Sequence, residues 1–420
     1  MGMVKRKIGD ILTLQRGYDL PASKMEGGNV AVVGSNGIIG YHNIVKYDAP
    51  CIIVGRSGSV GKVRYYSIPT WPHNTALFVK DFKGNDPLYL YYFLKNLHLD
   101  EKFSKSSSVV PSLDRNIVHS LHVQFQEDIN EQKNIAKILS AFDIKIALNR
   151  QINDNLEAMA HQLYDYWFVQ FDFPDENGRP YKSSGGMMVW NETLKQEIPN
   201  GWYVSNICKV AEILSGGTPS KAITKYWDKG TIPFFGPTDC NGNIYQLQTK
   251  DHITEEGLKH CASSLYEDGT IFITARGSIG KLVIAGTSMA MNQSCYALRS
   301  KTGEYEYLFF LTQQLIEWLK AKGNGSVFKS IISSDIEASS LCIGRENIIA
   351  LYCKRVKPIF KKIKANSQEI LSLIKQRDEL LPLLMNGQAT VNYHLSFGIL
   401  FVYLFLYSQN MKYIWQQKIY

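Results

Sequence analysis

Several features common in enzymes and secreted proteins are missing from this 420-residue chain. Its seven cysteines are scattered and none forms a CxxC pair, so we expect no zinc site and a reducing, cytoplasmic environment. The opening MGMVKRKIGD is basic but lacks an apolar segment, so we expect no signal peptide. HExxH, GxSxG, paired carboxylates and the Asn/Asp-Pro-Pro-aromatic motif of amino-methyltransferases are also absent. We therefore expect no catalytic residue and no metal site in this chain.

Neither proline nor glycine occurs between residues 130 and 168, so nothing there interrupts a helix. Apolar residues recur on a heptad seam, with Ile135, Phe142, Asn149, Leu156 and Leu163 at the first position and Ile138, Lys145, Ile152, Met159 and Tyr166 at the fourth. This seam predicts a helix of roughly 58 Å that packs along a partner helix. Asn149 on the seam is typical of a polar residue that fixes the register.

The partner helix is predicted in the same chain, over residues 347–384. Its seam consists of Ile349, Val356, Ile363, Ile370, Arg377 and Leu384, with Tyr352, Ile359, Asn366, Leu373 and Leu380 three residues later in each heptad. Pro358 is predicted to kink or delay the regular helix, since proline has no N–H to donate. The two seams predict either an antiparallel pair that acts as a spacer or a plain bundle or dimerisation arm.

Two globular stretches of mixed helix and strand precede the two long helices, and the second repeats the first. GSVGK at 58–62 returns as GSIGK at 277–281 after a strand-like run, a shift of about 219 residues. Arg56 and Arg276 stand close before these motifs, and Asn74 and Asn292 follow; we take each pair as equivalent. Residues 108–113 are echoed by 326–331, and about twenty extra residues fall between 221 and 259 of the second copy.

The repeat gives a division of the chain into six segments. Residues 1–128 and 201–345 are the two globular domains, 129–170 and 346–386 are the long helices, 171–200 is a linker rich in turn-forming residues, and 387–420 is an atypical tail. The predicted fold is thus α+β, with two similar mixed α/β domains, two long antiparallel coiled-coil helices and a pseudo-twofold internal repeat. The tail carries an apolar run over 394–407, too short for a membrane helix, so we expect no membrane partner.

The glycine motifs do not match a nucleotide-binding P-loop. That motif requires GxxxxGK, then Ser or Thr, then a helix, whereas Val63 and Leu282 follow the lysines here and begin strand-like sequence. Two interpretations stay open. Each motif is a tight hairpin that only packs against a helix, or it also presents polar side chains to a DNA backbone. The candidate DNA-binding residues are Arg56, Ser59, Lys62 and Asn74 in the first copy and Arg276, Ser278, Lys281 and Asn292 in the second.

A basic run lies off the seam of the second long helix, within a chain of formal net charge +8. It consists of Lys354, Arg355, Lys357, Lys361, Lys362 and Lys364. A helix face of this kind is either a solvated surface or a contact for phosphates or an acidic partner. Lys354, Arg355, Lys361 and Lys362 are the candidate partner or phosphate contacts.

Duplicated globules with two long helices resemble the specificity subunit of type I restriction–modification enzymes. The GSVGK and GSIGK pair, the central stretch FDFPDENGRPYKSSGGMMVWNETLKQEIPNGW (171–202) and PLLMNGQATV (382–391) carry the resemblance, which covers about residues 5–391. The tail departs from the family pattern.

The resemblance implies two target-recognition domains that each read half of a split double-stranded DNA site. It also implies docking of two modification (methyltransferase) subunits and of restriction subunits. S-adenosylmethionine, ATP and Mg²⁺ would be bound by those partners, and this chain would be non-catalytic. The competing hypotheses are a combined methyltransferase–nuclease polypeptide and a scaffold that binds only protein.

Overall fold

The computed structural model describes residues 3–103, 112–322 and 330–389. Contacts group them into two units: the first combines the residues up to Ile146 with those from Ser372 onward, and the second is Ala147–Leu371. Each unit contains helices and mainly antiparallel sheets. The α+β fold class, with two similar domains and two long helices, is therefore confirmed.

The first repeat begins near the N-terminus and ends in the first long helix. In chain order it contains β1 (Val4–Lys7), α1 (Ile8–Ile11), β2 (Thr13–Arg16), β3 (Val30–Gly34), β4 (Gly37–His42), β5 (Cys51–Gly55), β6 (Val63–Tyr66), β7 (Thr70–Pro72), β8 (Ala76–Asp81), α2 (Pro87–Asn96), α3 (Leu99–Phe103), α4 (Arg115–Ser120), β9 (His122–Phe125) and α5 (Ile129–Tyr164). One sheet has the order β2-β8-β5-β6 and another the order β4-β3-β7, while β1 pairs with β9.

The second repeat follows a small hairpin and ends in the second long helix. It contains β10 (Met188–Asn191), β11 (Gln196–Pro199), β12 (Tyr203–Ser205), β13 (Ala211–Ser215), β14 (Ile232–Phe235), β15 (Tyr245–Gln246), β16 (Asp251–Ile253), α6 (Glu255–Lys259), β17 (Ile271–Thr274), β18 (Leu282–Ala285), β19 (Ala290–Met291), β20 (Cys295–Ser300), α7 (Tyr305–Lys322), α8 (Ser333–Glu337), β21 (Leu341–Ile343) and α9 (Glu346–Met385). Its sheets have the orders β13-β20-β17-β18-β15, β16-β14-β19 and β12-β21.

The sheet orders of the two repeats match strand for strand, apart from one addition. β2-β8-β5-β6 corresponds to β13-β20-β17-β18, and β4-β3-β7 to β16-β14-β19, with β3–β7 and β14–β19 both parallel. β3 reaches β4 through a two-residue turn at 35–36, whereas residues 236–250 connect β14 to β16 and supply the added strand β15. This part of the extra chain thus lies inside the range 221–259 predicted from the sequence.

Both long helices are observed, with two departures from the predicted seams. α9 runs without interruption through Pro358, so the expected delay of the regular helix there is wrong. Proline at this position removes one intrahelical hydrogen bond, and the apolar seam on either side keeps the helix packed. Met159 was expected on the seam but is 56% exposed, and Ala160 is buried in its place.

Buried polar side chains link α5 and α9 in the second unit. The amide of Asn149 donates to Glu369 Oε2 at 2.9 Å, and the amide of Asn366 donates to Asn153 Oδ1 at 2.9 Å. Both seam asparagines are only 2% exposed. A one-turn slip would leave these amides unpaired in the interface, so they fix the register, in agreement with the sequence.

An ion pair has the same effect in the first unit. Arg377, a charged residue on the α9 seam, pairs with Asp143 of α5. The second oxygen of Asp143 accepts a hydrogen bond from the buried Tyr92 hydroxyl of α2 at 2.6 Å. The carboxylate is thus satisfied on both sides, which is the condition under which a charge on such a seam is tolerated.

Residues 390–420, which include the apolar run, lie outside the described part of the chain, as do 104–111 and 323–329 of the echoed segments. Among the helices that the structure describes, none is both long enough and apolar enough to cross a membrane.

A buried carboxyl group gives the second unit an expected pH dependence. Glu306, in the first turn of α7, is 2% exposed, and its Oε1 has no hydrogen-bond partner among the described residues. Burial raises the pKa of this carboxyl group, although its own backbone N–H and Lys357 oppose the effect. The folded state therefore holds the proton more tightly than the unfolded state, and ionisation costs stability as pH rises above the unfolded value.

We expect Glu306→Gln to raise the Tm at pH 8 and to change it much less at pH 4, below the unfolded pKa, where burial of the ionised form no longer costs stability. Thermal unfolding at both pH values measures this. Glu317→Gln, at an exposed position of the same helix, is the matched control and should leave the pH dependence unchanged. A Tm change in Glu306→Gln that is equal at the two pH values would contradict the assignment.

Candidate nucleic-acid interface

Glycine loop 1, residues 56–62, connects the antiparallel strands β5 and β6. The backbone N–H of Gly55 donates to Lys62 O at 2.9 Å, and that of Gly61 donates to Gly55 O at 2.8 Å. Gly61 has φ +75°, and a Cβ there would lie 2.2 Å from the backbone nitrogen of Asp100 in α3. Only glycine fits this position, because the loop lies directly against the helix backbone.

Glycine loop 2, residues 275–281, repeats this construction between β17 and β18. Thr274 N donates to Lys281 O at 3.0 Å, and Gly280 N donates to Thr274 O at 2.8 Å. A Cβ at Gly280 would lie 3.0 Å from Ile316 Cγ2 of α7. A strand follows both loops, whereas a P-loop requires a helix, so both are hairpins that pack against a helix.

Hydrogen bonds at the loop entrances correct one of the expected equivalences. Arg56 N donates to Thr75 O at 3.1 Å, and Ala275 N donates to Ser294 O at 2.8 Å. Arg56 is therefore equivalent to Ala275, and Arg276 is equivalent to Ser57. The two arginines are one position apart in the shared backbone, so their side chains leave it in different directions and are not equivalent.

The expected equivalence of Asn74 and Asn292 is wrong for the same reason. The Asn74 amide donates to Asp19, and the matching pair in the second unit is Thr218 with Gln293. Asn292 lies one residue earlier, at the position of His73: His73 N donates to Val33 O at 2.8 Å, and Asn292 N donates to Phe235 O at 2.9 Å. Gln293 is thus the counterpart of Asn74.

Three of the four candidates in the first unit lie together. The Ser59 hydroxyl donates to Asn36 Oδ1 in the β3–β4 turn, and Arg56 Nη1 lies 3.5 Å from Asn74 O. Arg64 donates to the carbonyl of the same turn. Lys62 is exposed, and its side chain forms no hydrogen bond or ion pair with the described residues. We call this group, residues 35–36, 56–64 and 73–75, loop cluster 1.

The candidates of glycine loop 2 are more open. Arg276, Ser278 and Lys281 are exposed, and their side chains form no hydrogen bond or ion pair within the described chain. Burial raises the pKa of the neighbouring Cys240 thiol to about 11, and Lys281 opposes that rise. The loop therefore offers two cationic groups that no described carboxylate neutralises.

The basic run on α9 divides into free and engaged side chains. Lys354, Lys361 and Lys362 are exposed and unpaired among the described residues. The guanidinium of Arg355 lies 5.5 Å from the centre of the Trp167 ring. Lys364 was expected on the exposed face but is partly buried and paired with Asp268, so that expectation is wrong.

The sequence reasoning missed four residues that form side-chain hydrogen bonds beside the glycine loops: Asp19, Asn36, Thr218 and Gln293. Asn36 carried a usable signal, since Ser-Asn-Gly at 35–37 is typical of a hairpin turn, but nothing in that sequence indicated that the turn contacts Ser59. No group of three or more His, Cys, Asp or Glu side chains able to hold a metal ion occurs in the described residues.

Comparisons with known proteins match this chain to specificity subunits of type I restriction enzymes. A family profile described as the type I restriction modification DNA specificity domain matches residues 1–158 and 199–343. The MjaIX type I restriction enzyme specificity subunit of Methanocaldococcus jannaschii is 28% identical over 311 residues, covering 72% of this chain and 69% of that one. The HindI specificity subunit of Haemophilus influenzae is 24% identical over 358 residues, covering 72% and 77%.

A solved structure agrees at the level of the fold. The S subunit of a type I restriction-modification system from M. genitalium superposes with a TM-score of 0.57 and 18% identity, covering 92% of this chain and 96% of that chain. The family match extends over both repeats, including both glycine loops. This chain therefore belongs to the family of type I restriction–modification specificity subunits.

Proposed function

We propose that the two globular domains, residues 1–128 and 201–345, are target-recognition domains, each of which binds one half of a split site in double-stranded DNA. The observation that carries the proposal is the repeated glycine loop, built with the same hydrogen bonds in both units and bordered by unpaired cations. Lys62 in one unit and Arg276 and Lys281 in the other are exposed. Exposed cations on a fixed backbone are suited to contacting phosphates, while neighbouring polar side chains reach base edges.

We further propose that the long helices hold the partner subunits. Lys354, Lys361 and Lys362 give α9 an exposed cationic face, which suits an acidic surface of a modification subunit. Two modification subunits would dock on the helices, and restriction subunits would join them. S-adenosylmethionine, ATP and Mg²⁺ would be bound by those subunits, so this chain would supply recognition and no catalytic group.

The test uses the chain assembled with its modification subunits and a labelled duplex. We expect selective binding of the duplex that the assembly methylates, with a strong decrease in affinity as salt rises. Transfer of labelled methyl groups by the purified chain alone would support the combined enzyme instead. An assembly that forms normally but binds all duplexes equally would reduce this chain to a protein scaffold.

A further inference from the structure

The edge strand β4 of the first unit exposes large apolar side chains. Ile38, Ile39 and Tyr41 are 48%, 45% and 49% exposed. Val33 pairs with Ile38, and Val32 with Gly40, so Ile39 is the extra residue of a β-bulge. Bulges re-aim a side chain and are common beside functional sites. The bulge therefore explains why two consecutive isoleucines both face outward.

Ile39 lies beside loop cluster 1. A Cβ at Gly34 would be 3.4 Å from Ile39 Cγ2 and 2.8 Å from Thr75 Oγ1, so the isoleucine covers the end of β3 next to Thr75. The carbonyl of Thr75 accepts the N–H of Arg56 at 3.1 Å. The apolar surface and the polar loop cluster are thus continuous.

The surroundings favour DNA over an apolar protein surface as the occupant. Arg56, Lys62 and Arg64 belong to the adjoining cluster, and the nearby carboxylate of Asp19 is engaged by Asn74. A polyanion that also carries an apolar group fits this combination of cationic and apolar side chains. The major groove of DNA offers it at every thymine, whose C5-methyl group is contacted by apolar side chains.

The second unit lacks this feature at the equivalent strand. Strand pairing matches Gly40 with Asp251 and His42 with Ile253. The positions of Ile38 and Ile39 are therefore taken by Thr249 and Lys250, which lie just before β16. A buried threonine and an exposed lysine replace the exposed isoleucine pair, so the two units present different surfaces beside their glycine loops.

We propose that Ile39 is a specificity-determining residue that contacts the C5-methyl group of a thymine in the half-site bound by the first unit. This rests on the proposed function of the chain as a DNA-recognition subunit. Burial of one methyl group contributes about 0.8 kcal/mol, which corresponds to roughly fourfold in affinity.

The test replaces each thymine of the methylated site, one at a time, with deoxyuridine, which removes only the methyl group. In the full assembly, we expect one replacement, in one half-site only, to weaken binding roughly fourfold. In Ile39→Ala, the same replacement should have no effect, because the two groups act as a pair. Ile117→Ala, at an equally exposed isoleucine of α4, should keep the full sensitivity.

Several outcomes overturn the proposal: no sensitive thymine, undiminished sensitivity in Ile39→Ala, or a half-site without any A·T pair. Loss of subunit assembly in Ile39→Ala, without any effect of deoxyuridine, would assign the surface to a protein partner and also overturn it. If the assembly shows no preference for any site, the proposed function itself fails, which is a distinct result.

Discussion

Inserting one heptad into each long helix is expected to lengthen the unspecified gap of the DNA site and to leave both half-sites unchanged. Seven residues add about 10.5 Å to each helix, or roughly three base pairs at ~3.4 Å each. A whole heptad preserves the apolar seam. The insertions are placed between 149 and 153 of α5 and between 366 and 369 of α9. These segments lie opposite each other, because Asn149 bonds to Glu369 and Asn153 bonds to Asn366. Sequencing of methylated sites in cells that carry the variant measures the gap.

An insertion in α5 alone is the control and should destabilise the protein. The Asn149 amide donates to Glu369 Oε2 at 2.9 Å, and the Asn366 amide donates to Asn153 Oδ1 at 2.9 Å. Seven residues added between 149 and 153 cannot preserve both contacts, and each unpaired buried group costs about 1–3 kcal/mol. A stable double insertion with an unchanged gap would return the helices to the role of a dimerisation arm.

Changing both Arg276 and Lys281 to alanine is expected to weaken binding to all duplexes to a similar degree. Each lost phosphate contact lowers the slope of log K against log salt by about 0.9, so the pair would lower it by about 1.8. If the two proteins bind equally at 1 M salt, this difference in slope makes the variant bind roughly 60-fold more weakly than the wild type at 0.1 M salt. The preference between target and unrelated DNA should change little, because phosphates carry no sequence information.

The matched control removes two exposed cations of the same unit that lie outside the glycine loop, Lys209 and Lys259. It should leave the slope nearly unchanged. If the Arg276 and Lys281 double variant keeps the full salt slope while its Tm is unaltered, glycine loop 2 is a packing element only. The same test on Lys62 asks whether glycine loop 1 contributes one phosphate contact, as its single unpaired cation suggests.

The sequence by itself determined the long helices and the duplication, because heptad spacing and a repeated motif are both patterns of the sequence. Heptad spacing persists over many turns, so one misjudged position, such as Met159, does not alter the prediction. The glycine motifs gave the repeat in the same way. The delay of the helix expected at Pro358 was wrong because the cost of the proline is local, whereas the packing that stabilises α9 extends along the whole helix.

Residue equivalence within the loops was decided only by the tertiary structure. Arg56 matches Ala275, and Asn74 matches Gln293, because strands distant in sequence share backbone hydrogen bonds there. The spacing between the glycine motif and the asparagine differs by one residue between the repeats, and composition does not reveal such a difference. In a strand or hairpin, a difference of one residue points the side chain in another direction.

The surface beside the first glycine loop is likewise a product of packing. Ser-Asn-Gly at 35–37 is typical of a hairpin turn, and strand pairing then places Asn36 against Ser59 and makes Ile39 the bulged residue. Local sequence determines which elements form, since each is stabilised by its own periodicity and turn residues. Only the pairing of those elements determines which side chains meet, since such contacts join residues far apart in the chain.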